Sequence, residues 1–285
     1  MGAFDHAAAR TPEAFLNAKR AAVNTVFIQE RKSYMHIHGL QKLTLLDYPE
    51  HLAAVLFTGG CNFRCPFCQN GSLVLTPDQE PVISENDILT FLKKRQGILT
   101  GVCITGGEPT LQKDLPELTE KIRALGYQVK LDTNGTNPSM VKQLYQDHLI
   151  DYVAMDLKAS RQNYPVVSGC PAISLEKLQE TMEFLMNSGI DYEFRTTVVK
   201  GLHTKHDFED IACWIPGAKR YFLQSYQDSG HILIQEQQRL SAEQASAPRM
   251  QQTISAFTVE EMKEFLQLVQ PSIPSARLRG IDVSE

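Results

Sequence analysis

The sequence predicts an α/β fold, a partial (β/α)6 TIM-type barrel, on three observations. Short apolar runs that predict strands recur six times, at residues 53–57, 102–105, 128–132, 152–156, 192–199 and 220–224. Segments with the apolar spacing of helices separate these runs. The runs are mostly apolar rather than alternating, as is typical of parallel strands that are buried on both faces.

The number of β–α units predicts that the barrel is incomplete. A closed barrel of this type has eight units, and the sequence contains six. Because parallel strands all end at the same edge of the sheet, we expect the ligand site in the loops that follow the strands.

Local capping signals mark where helices begin. Ser84 and Asp87 form a typical N-terminal cap, and Thr258 with Glu261 forms a capping box. Between them, residues 175–185 place leucine and methionine at spacings of three and four, which predicts a helix with one buried face.

The chain of 285 residues is long enough for one large α/β domain or for two smaller ones. We assign residues 36–285 to the barrel domain and residues 1–35 to an N-terminal extension. The extension is expected to be partly helical, because Thr11-Pro12 is a typical helix start. Residues 235–256 are rich in Gln, Ser and Ala, and we expect a mobile surface loop there. The alternative is a loop that contacts a partner.

Composition argues against a nucleic-acid-binding or membrane protein. The formal net charge is −5, and no stretch is concentrated enough in Lys and Arg to grip phosphates. No apolar run has the length needed to cross a bilayer, and the N-terminus lacks the apolar core of a secretory signal. We therefore expect a cytoplasmic protein whose thiols stay reduced, with no nucleic-acid or membrane partner.

Three of the six cysteines crowd into one short segment. They are Cys61, Cys65 and Cys68, at C-x3-C-x2-C spacing. A disulfide framework would not crowd three cysteines together, whereas a metal or cluster site would. Cys103, Cys170 and Cys213 stand alone, and we expect them to be structural thiols.

The clustered cysteines by themselves are compatible with two kinds of site. A 4Fe-4S cube normally takes four thiolates, so three would leave one iron open to another ligand. Structural zinc requires four closed ligands, and here Gln69 and Asn70 follow Cys68. The segment alone favours an iron–sulfur cluster over a zinc site with a remote fourth ligand.

A second motif ends the next predicted strand. Its residues are Gly106, Gly107, Glu108 and Pro109. The two motifs, in this order and on consecutive strand ends, resemble the radical S-adenosylmethionine (SAM) superfamily. The resemblance implies a radical-SAM-type partial barrel and a 4Fe-4S cluster on the three cysteines, whose open iron binds SAM. It also implies that the glycine-rich strand end accepts hydrogen bonds from the methionine amino group of SAM. The residue types suit this role, because the glycines expose backbone acceptors and Glu108 adds a negative charge beside an ammonium-type donor.

Polar residues also follow the next three predicted strands. They are Asp132, Thr133, Asn134, Asp156, Lys158 and Arg195. Asp132, Thr133, Asp156 and Lys158 are similar to SAM-binding positions of glycyl-radical-enzyme activases, and the resemblance also implies a monovalent cation beside the SAM carboxylate. Asn134 and Arg195 are further candidates for the same site. The alternative is local pairing, with Lys158 neutralising Asp156. We favour the SAM site for Asp132 and Lys158, and both interpretations stay open for Asp156 and Arg195.

Over residues 36–280 the chain resembles one branch of this superfamily. Segments 39–49, 57–66, 104–111 and 130–137 are similar to the activating proteins of anaerobic ribonucleoside-triphosphate reductase, which are related to pyruvate formate-lyase activating enzyme. The resemblance implies an oxidoreductase that cleaves SAM reductively and generates a glycyl radical on a partner enzyme. It also implies an electron donor such as flavodoxin or ferredoxin.

Two departures from the relatives bear on the partner. Gln69 stands where many relatives carry His, at a position that is not a cluster ligand in the family. The last predicted strand lacks the Pro-Tyr-His segment of the pyruvate formate-lyase activases, which argues against pyruvate formate-lyase as the target. Two competing hypotheses stay open: a radical SAM enzyme acting on a small molecule or RNA, and a zinc-stabilised interaction protein without catalysis.

Overall fold

A computed structural model describes residues 35–230, 232–243 and 253–281 of the chain. The predicted N-terminal extension, residues 1–35, lies outside the described residues except for Met35. The strands are β1 (Ile37–Thr44), β2 (Ala53–Thr58), β3 (Gly101–Gly106), β4 (Gln128–Thr133), β5 (Tyr152–Asp156), β6 (Asp191–Val198), β7 (Tyr221–Ser225) and β8 (Arg277–Arg279).

Helices connect the strands within the described ranges. They are α1 (Gly71–Leu75), α2 (Glu85–Arg95), α3 (Leu115–Ala124), α4 (Pro138–Gln146), α5 (Tyr164–Val167), α6 (Leu175–Asn187), α7 (Lys205–Trp214), α8 (Leu233–Glu243) and α9 (Val259–Val269). Two short 3-10 helices cover Pro77–Gln79 and Pro109–Leu111. None of the described helices is both long and apolar enough to cross a membrane.

The eight strands form one open sheet in chain order. Strand β1 runs antiparallel to β2, and every later neighbour pair from β2 to β8 is parallel. Six β–α units therefore follow one another, as in a partial barrel, and their strands all end at one edge. This edge is where the functional site was predicted.

The sheet has two chemically different faces. On β4, Val129 and Leu131 are fully buried and belong to the hydrophobic core with helix residues such as Leu118. Lys130 and Asp132 alternate with them and point to the opposite face, because successive strand residues point in opposite directions. The helices pack against the apolar face, and the other face carries charged groups on the inside of the barrel.

All six predicted strands are confirmed, with ends that differ by one residue at most. Strands β1 and β8 were not predicted. Strand β1 contains two irregularities in its pairing with β2 and is largely half-buried or exposed, and β8 has only three residues, Arg277, Leu278 and Arg279. Neither carries the apolar run from which buried strands are predicted.

The predicted capping sites are also confirmed. The side chain of Ser84 accepts a hydrogen bond from the Asp87 backbone at the start of α2. Thr258 and Glu261 form a reciprocal capping box at the start of α9.

The prediction of a loop over residues 235–256 was wrong for its first part. Helix α8 extends through Glu243, and residues 244–252 lie outside the described residues. The helix is anchored by Ile232, Leu233 and Ile234, which are buried. The glutamine-rich composition that follows these three residues concealed the helix.

Candidate functional site

A cavity of about 400 Å³ lies at the carboxyl ends of the parallel strands. Eleven of the thirteen predicted site residues line it: Cys61, Cys65, Cys68, Gly106, Gly107, Glu108, Asp132, Thr133, Asn134, Asp156 and Lys158. The other two, Pro109 and Arg195, are not on its wall. The fold therefore brings together residues that are spread over about a hundred positions of the sequence.

The cysteine loop, residues 61–68, is held by two neighbouring segments. The backbone N–H of Arg64 donates to the Ser168 carbonyl oxygen at 2.8 Å, and the N–H of Leu233 donates to the Cys68 carbonyl oxygen at 2.8 Å. Gly169 lies so close to the Arg64 backbone that a Cβ atom would collide with it. The start of α8 thus fixes one end of the loop and the segment after α5 fixes its middle.

The thiols of Cys61, Cys65 and Cys68 all line the cavity. Burial raises the pKa of Cys61 to about 11 and that of Cys65 to about 12, and burial also raises the pKa of Cys68. Among the described residues, no three ligating side chains lie close enough together to share one metal ion. In a 4Fe-4S cube each thiolate binds a different iron. Three thiols on one cavity wall therefore fit a cluster, whose binding would release their protons.

The glycine-rich strand end packs directly on the chain before Cys61. The backbone N–H of Glu108 donates to the Gly60 carbonyl oxygen at 2.8 Å, and a Cβ atom on Gly107 would collide with that same oxygen. The Asn70 side chain donates to the Gly106 carbonyl oxygen at 2.8 Å. The two sequence motifs are thus joined backbone to backbone, and glycine is required for this approach.

The Glu108 carboxylate is hydrogen-bonded within the protein, and its role beside the SAM amino group stays a prediction. Its carboxylate is about 1% exposed and accepts four hydrogen bonds, two from Thr110 (2.5 and 3.1 Å), one from the Thr133 hydroxyl (2.7 Å) and one from the Asn134 backbone (2.6 Å). Burial raises the pKa of Glu108, and these hydrogen bonds oppose the shift. The carboxylate connects the ends of β3 and β4, and most of its acceptor capacity is used inside the protein.

Replacing Glu108 with glutamine is expected to lower both stability and SAM affinity. An amide would turn an N–H₂ group toward one of its present donors, and leaving such a buried group unsatisfied costs roughly 1–3 kcal/mol. Urea unfolding and SAM binding by calorimetry measure the two effects. Glu120→Gln, a change at an exposed position of α3, is the matched control. An E108Q protein as stable as the control would contradict the connecting role.

Charged side chains form a continuous chain under the cavity. Arg195 binds Asp156 (Nε–Oδ1, 2.9 Å) and Asp132 (Nη1–Oδ2, 3.1 Å). Asp132 also pairs with Lys130, and Asp156 with Lys158 (3.1 Å). Burial alone would raise the pKa of Asp156, but the charges of Arg195 and Lys158 outweigh it and hold that pKa at about 2. The ion pair between Lys158 and Asp156, considered from the sequence as the alternative, is present, and both residues also line the cavity.

Arg195 and Pro109 support the site from outside the cavity wall. Arg195 lies between two cavity-lining carboxylates, Asp132 and Asp156, and fixes both. Pro109 is buried at the start of a 3-10 helix. A SAM-site role stays a prediction for the eight lining residues other than the cysteines and for these two residues, which lie outside the cavity wall.

His203 is hydrogen-bonded to the backbone of Lys158. The Val199 N–H donates to His203 Nδ1 at 3.0 Å, so the proton is on Nε2, which donates to the Lys158 carbonyl oxygen at 2.7 Å. Burial lowers the pKa of His203. Asp207 anchors the same loop by accepting from the Ser160 hydroxyl at 2.6 Å. Lys158 is therefore positioned by a neutral, buried histidine.

The histidine makes stability depend on pH in a defined direction. Below pH 6.5, the ordinary pKa of histidine, His203 of the unfolded chain binds a proton, whereas in the folded chain it stays neutral. The free energy of unfolding is therefore expected to fall as the pH drops below 6.5. One linked proton gives a slope of at most about 1.4 kcal/mol per pH unit. Urea unfolding between pH 5 and 8 would show this slope reduced in His203→Gln and kept in His148→Gln, at an exposed histidine. Equal slopes would contradict a depressed pKa.

Twelve of the residues that line the cavity were not predicted as site residues, and four polar ones among them illustrate why. These four are Asn70, Thr197, Gln224 and Arg279. Asn70 directly follows the cysteine loop, and Thr197 and Gln224 lie at the ends of predicted strands, so position alone could have indicated them. Arg279 lies on β8, whose three residues give no sequence signal of a strand.

A comparison of the sequence with protein families identifies the class of protein to which this site belongs. The Radical SAM superfamily matches residues 55–215, more than half of the chain. The chain belongs to the radical SAM superfamily. This confirms the predicted type of barrel, and 4Fe-4S and SAM binding follow from the family.

Similarity to individual proteins narrows the enzyme class further. A Methanocaldococcus jannaschii protein assigned as a glycyl-radical enzyme activating enzyme is 34% identical over 197 residues, 67% of this chain and 80% of the relative. The pyruvate formate-lyase-activating enzyme of Staphylococcus epidermidis is 30% identical over 133 residues, 43% of this chain and 53% of that enzyme. The structure of Streptococcus suis SuiB bound to precursor peptide SuiA shares the fold, with a TM-score of 0.59 at 13% identity over 99% of this chain and 57% of SuiB. The predicted enzyme class, a radical SAM oxidoreductase homologous to these activating enzymes, is confirmed.

Proposed function

We propose that this protein activates an anaerobic ribonucleoside-triphosphate reductase by generating a glycyl radical on it. The observation that carries the proposal is the cavity in which three cysteine thiols and the glycine-rich strand end meet at the open edge of the sheet. An open, incomplete barrel suits this task, because a segment of another protein must reach SAM.

The bound cofactors would supply the hard chemistry, and the protein would supply position and surroundings. A 4Fe-4S cluster on Cys61, Cys65 and Cys68 with SAM provides one-electron cleavage of SAM and hydrogen-atom abstraction. The backbone of Gly106 and Gly107 would orient the methionine amino group. Lys158, whose backbone is fixed by His203 and whose charge is partly neutralised by Asp156, would donate hydrogen bonds to the methionine carboxylate.

The choice of partner rests on the residues at and directly after the end of β7. The strand and the residues after it end in Gln224-Ser225-Tyr226-Gln227 and lack the Pro-Tyr-His segment of the pyruvate formate-lyase activases. Three of these residues, Gln224, Ser225 and Gln227, line the cavity. A different cavity wall implies a different glycyl-radical partner. We propose flavodoxin or ferredoxin as the electron donor.

A monovalent cation beside SAM also stays a proposal. Its expected ligands include Asp132 and Thr133, and Asp132 already has two cationic partners, Lys130 and Arg195. A bound cation would therefore have to share that carboxylate. SAM affinity measured in potassium and in tetramethylammonium buffers tests this, and equal affinities would argue against the cation.

One experiment tests the proposed function directly. Anaerobically reconstituted protein, SAM and a reductant are incubated with the anaerobic reductase of the same organism and, separately, with a pyruvate formate-lyase. We expect a glycyl radical by electron paramagnetic resonance on the reductase alone. SAM cleavage without a radical on either protein would favour a small-molecule or RNA substrate. Protein that contains stoichiometric zinc in place of iron and sulfide would refute the radical SAM chemistry.

A further inference from the structure

Arg279 presents a fixed guanidinium to the cavity from the edge of the sheet. Its side chain is one-third exposed and belongs to the cavity wall, together with Gln224, Ser225 and Gln227. Strand β8 is the last strand of the described sheet, with β7 as its partner on one side. In an incomplete barrel such an edge strand borders the opening through which a chain can enter. We call these four residues the β7–β8 wall.

The orientation of Arg279 is determined before any ligand binds. Its two terminal nitrogens donate to the two carboxylate oxygens of Glu193, at 3.0 and 3.2 Å. Glu193 is about 1% exposed and also accepts from the Tyr152 hydroxyl at 3.0 Å. The guanidinium lies 3.6 Å from the centroid of the Phe222 ring. A two-point ion pair and an aromatic face therefore fix the plane of the guanidinium.

Part of the hydrogen-bonding capacity of Arg279 is still available. A guanidinium carries five N–H donors, and within the described residues Glu193 accepts from two of its nitrogens. The neighbouring groups are neutral amides and a hydroxyl, which both donate and accept. The wall thus offers donors and acceptors together with one positive charge.

This chemistry matches the main chain of a peptide. A target glycine has no side chain, so an enzyme that acts on it must recognise the carbonyl and N–H groups around it. The residues predicted to bind SAM lie on or directly after β3 to β6, which leaves the β7–β8 wall unassigned. We propose that the β7–β8 wall binds the main chain of the partner's glycine segment, with Arg279 donating to its carbonyl oxygens. This inference rests on the proposed function and adds the surface on which the partner is recognised.

Arg279→Lys is the variant that tests the inference. Lysine keeps the positive charge beside buried Glu193, so the protein is expected to fold, but it loses the planar fork and the additional donors. Charge-assisted hydrogen bonds contribute roughly 1.5–3 kcal/mol, so KM for the partner is expected to rise about tenfold or more. Two rates are measured in parallel: glycyl radical formation on the reductase, and SAM cleavage with reductant in the absence of the reductase. We expect the first rate to fall about tenfold relative to the second.

Arg277→Lys is the matched control, because Arg277 lies on the same strand and donates to the carbonyl oxygens of Pro274 and Ala276 outside the cavity wall. Equal losses of both rates in R279K would mean that Arg279 acts on SAM or on folding, and would overturn the inference. An unchanged KM for the partner would overturn it as well. A wild-type protein that forms no radical on the reductase would overturn the proposed function itself, and this inference with it.

Discussion

Replacing Cys65 with alanine is expected to yield a folded protein that neither holds a complete cluster nor cleaves SAM. Cys65 is 6% exposed, the most buried of the three clustered cysteines, and its sulfur lies 3.7 Å from the Ser168 carbonyl oxygen. Loss of a residue that only supports a ligand already costs about 10–100-fold in metal affinity or activity. Removal of the ligand itself should therefore lower SAM cleavage by more than about a hundredfold. Iron and sulfide content, the visible spectrum and SAM cleavage after anaerobic reconstitution measure the effect.

Cys213→Ala provides the matched control for this change. Cys213 is exposed on α7 and does not line the cavity. Its variant should retain iron, sulfide and SAM cleavage at wild-type levels. If C65A kept a full cluster, or if C213A lost iron to the same extent, the assignment of the three clustered cysteines as ligands would be wrong.

Gly107→Ala is expected to damage the site through the backbone. The new methyl group would collide with the Gly60 carbonyl oxygen, which already accepts the Glu108 N–H at 2.8 Å. Neither partner is a flexible side chain, so the strand end and the chain before Cys61 must separate. Overpacking of this kind costs about 1–3 kcal/mol. We expect the variant to lose SAM affinity and to reconstitute its cluster poorly, as measured by calorimetry and by iron content.

A second glycine separates this local collision from the general cost of replacing glycine. Gly189 has a φ of +83°, and a Cβ atom there would meet no atom within 4 Å. Gly189→Ala should lose about 1 kcal/mol of stability from backbone strain and keep its cluster and SAM affinity. A G107A protein with wild-type SAM affinity would show that the close packing of the two motifs is not required.

The parts of the fold that were predictable have a strong local signal. Parallel strands that are buried on both faces carry short apolar runs, such as Val102–Ile104, and composition reveals these runs. Strand β8 depends on pairing with β7 and has two arginines in three residues, so its sequence contains no such signal. The start of α8 was missed for a related reason, because three buried residues anchor a helix whose remainder is polar.

The amino-acid sequence by itself determined the cluster and the reaction class. Both depend on residues that lie close together in the chain, three cysteines within eight positions and a Gly-Gly-Glu-Pro strand end. Tertiary structure alone decided how the remaining groups are used. Glu108 accepts hydrogen bonds from two strand ends, Arg195 lies behind the cavity, and Arg279 reaches it from the last strand. Hydrogen bonds and ion pairs between residues more than twenty positions apart form only after the sheet has assembled, and no spacing in the chain records them.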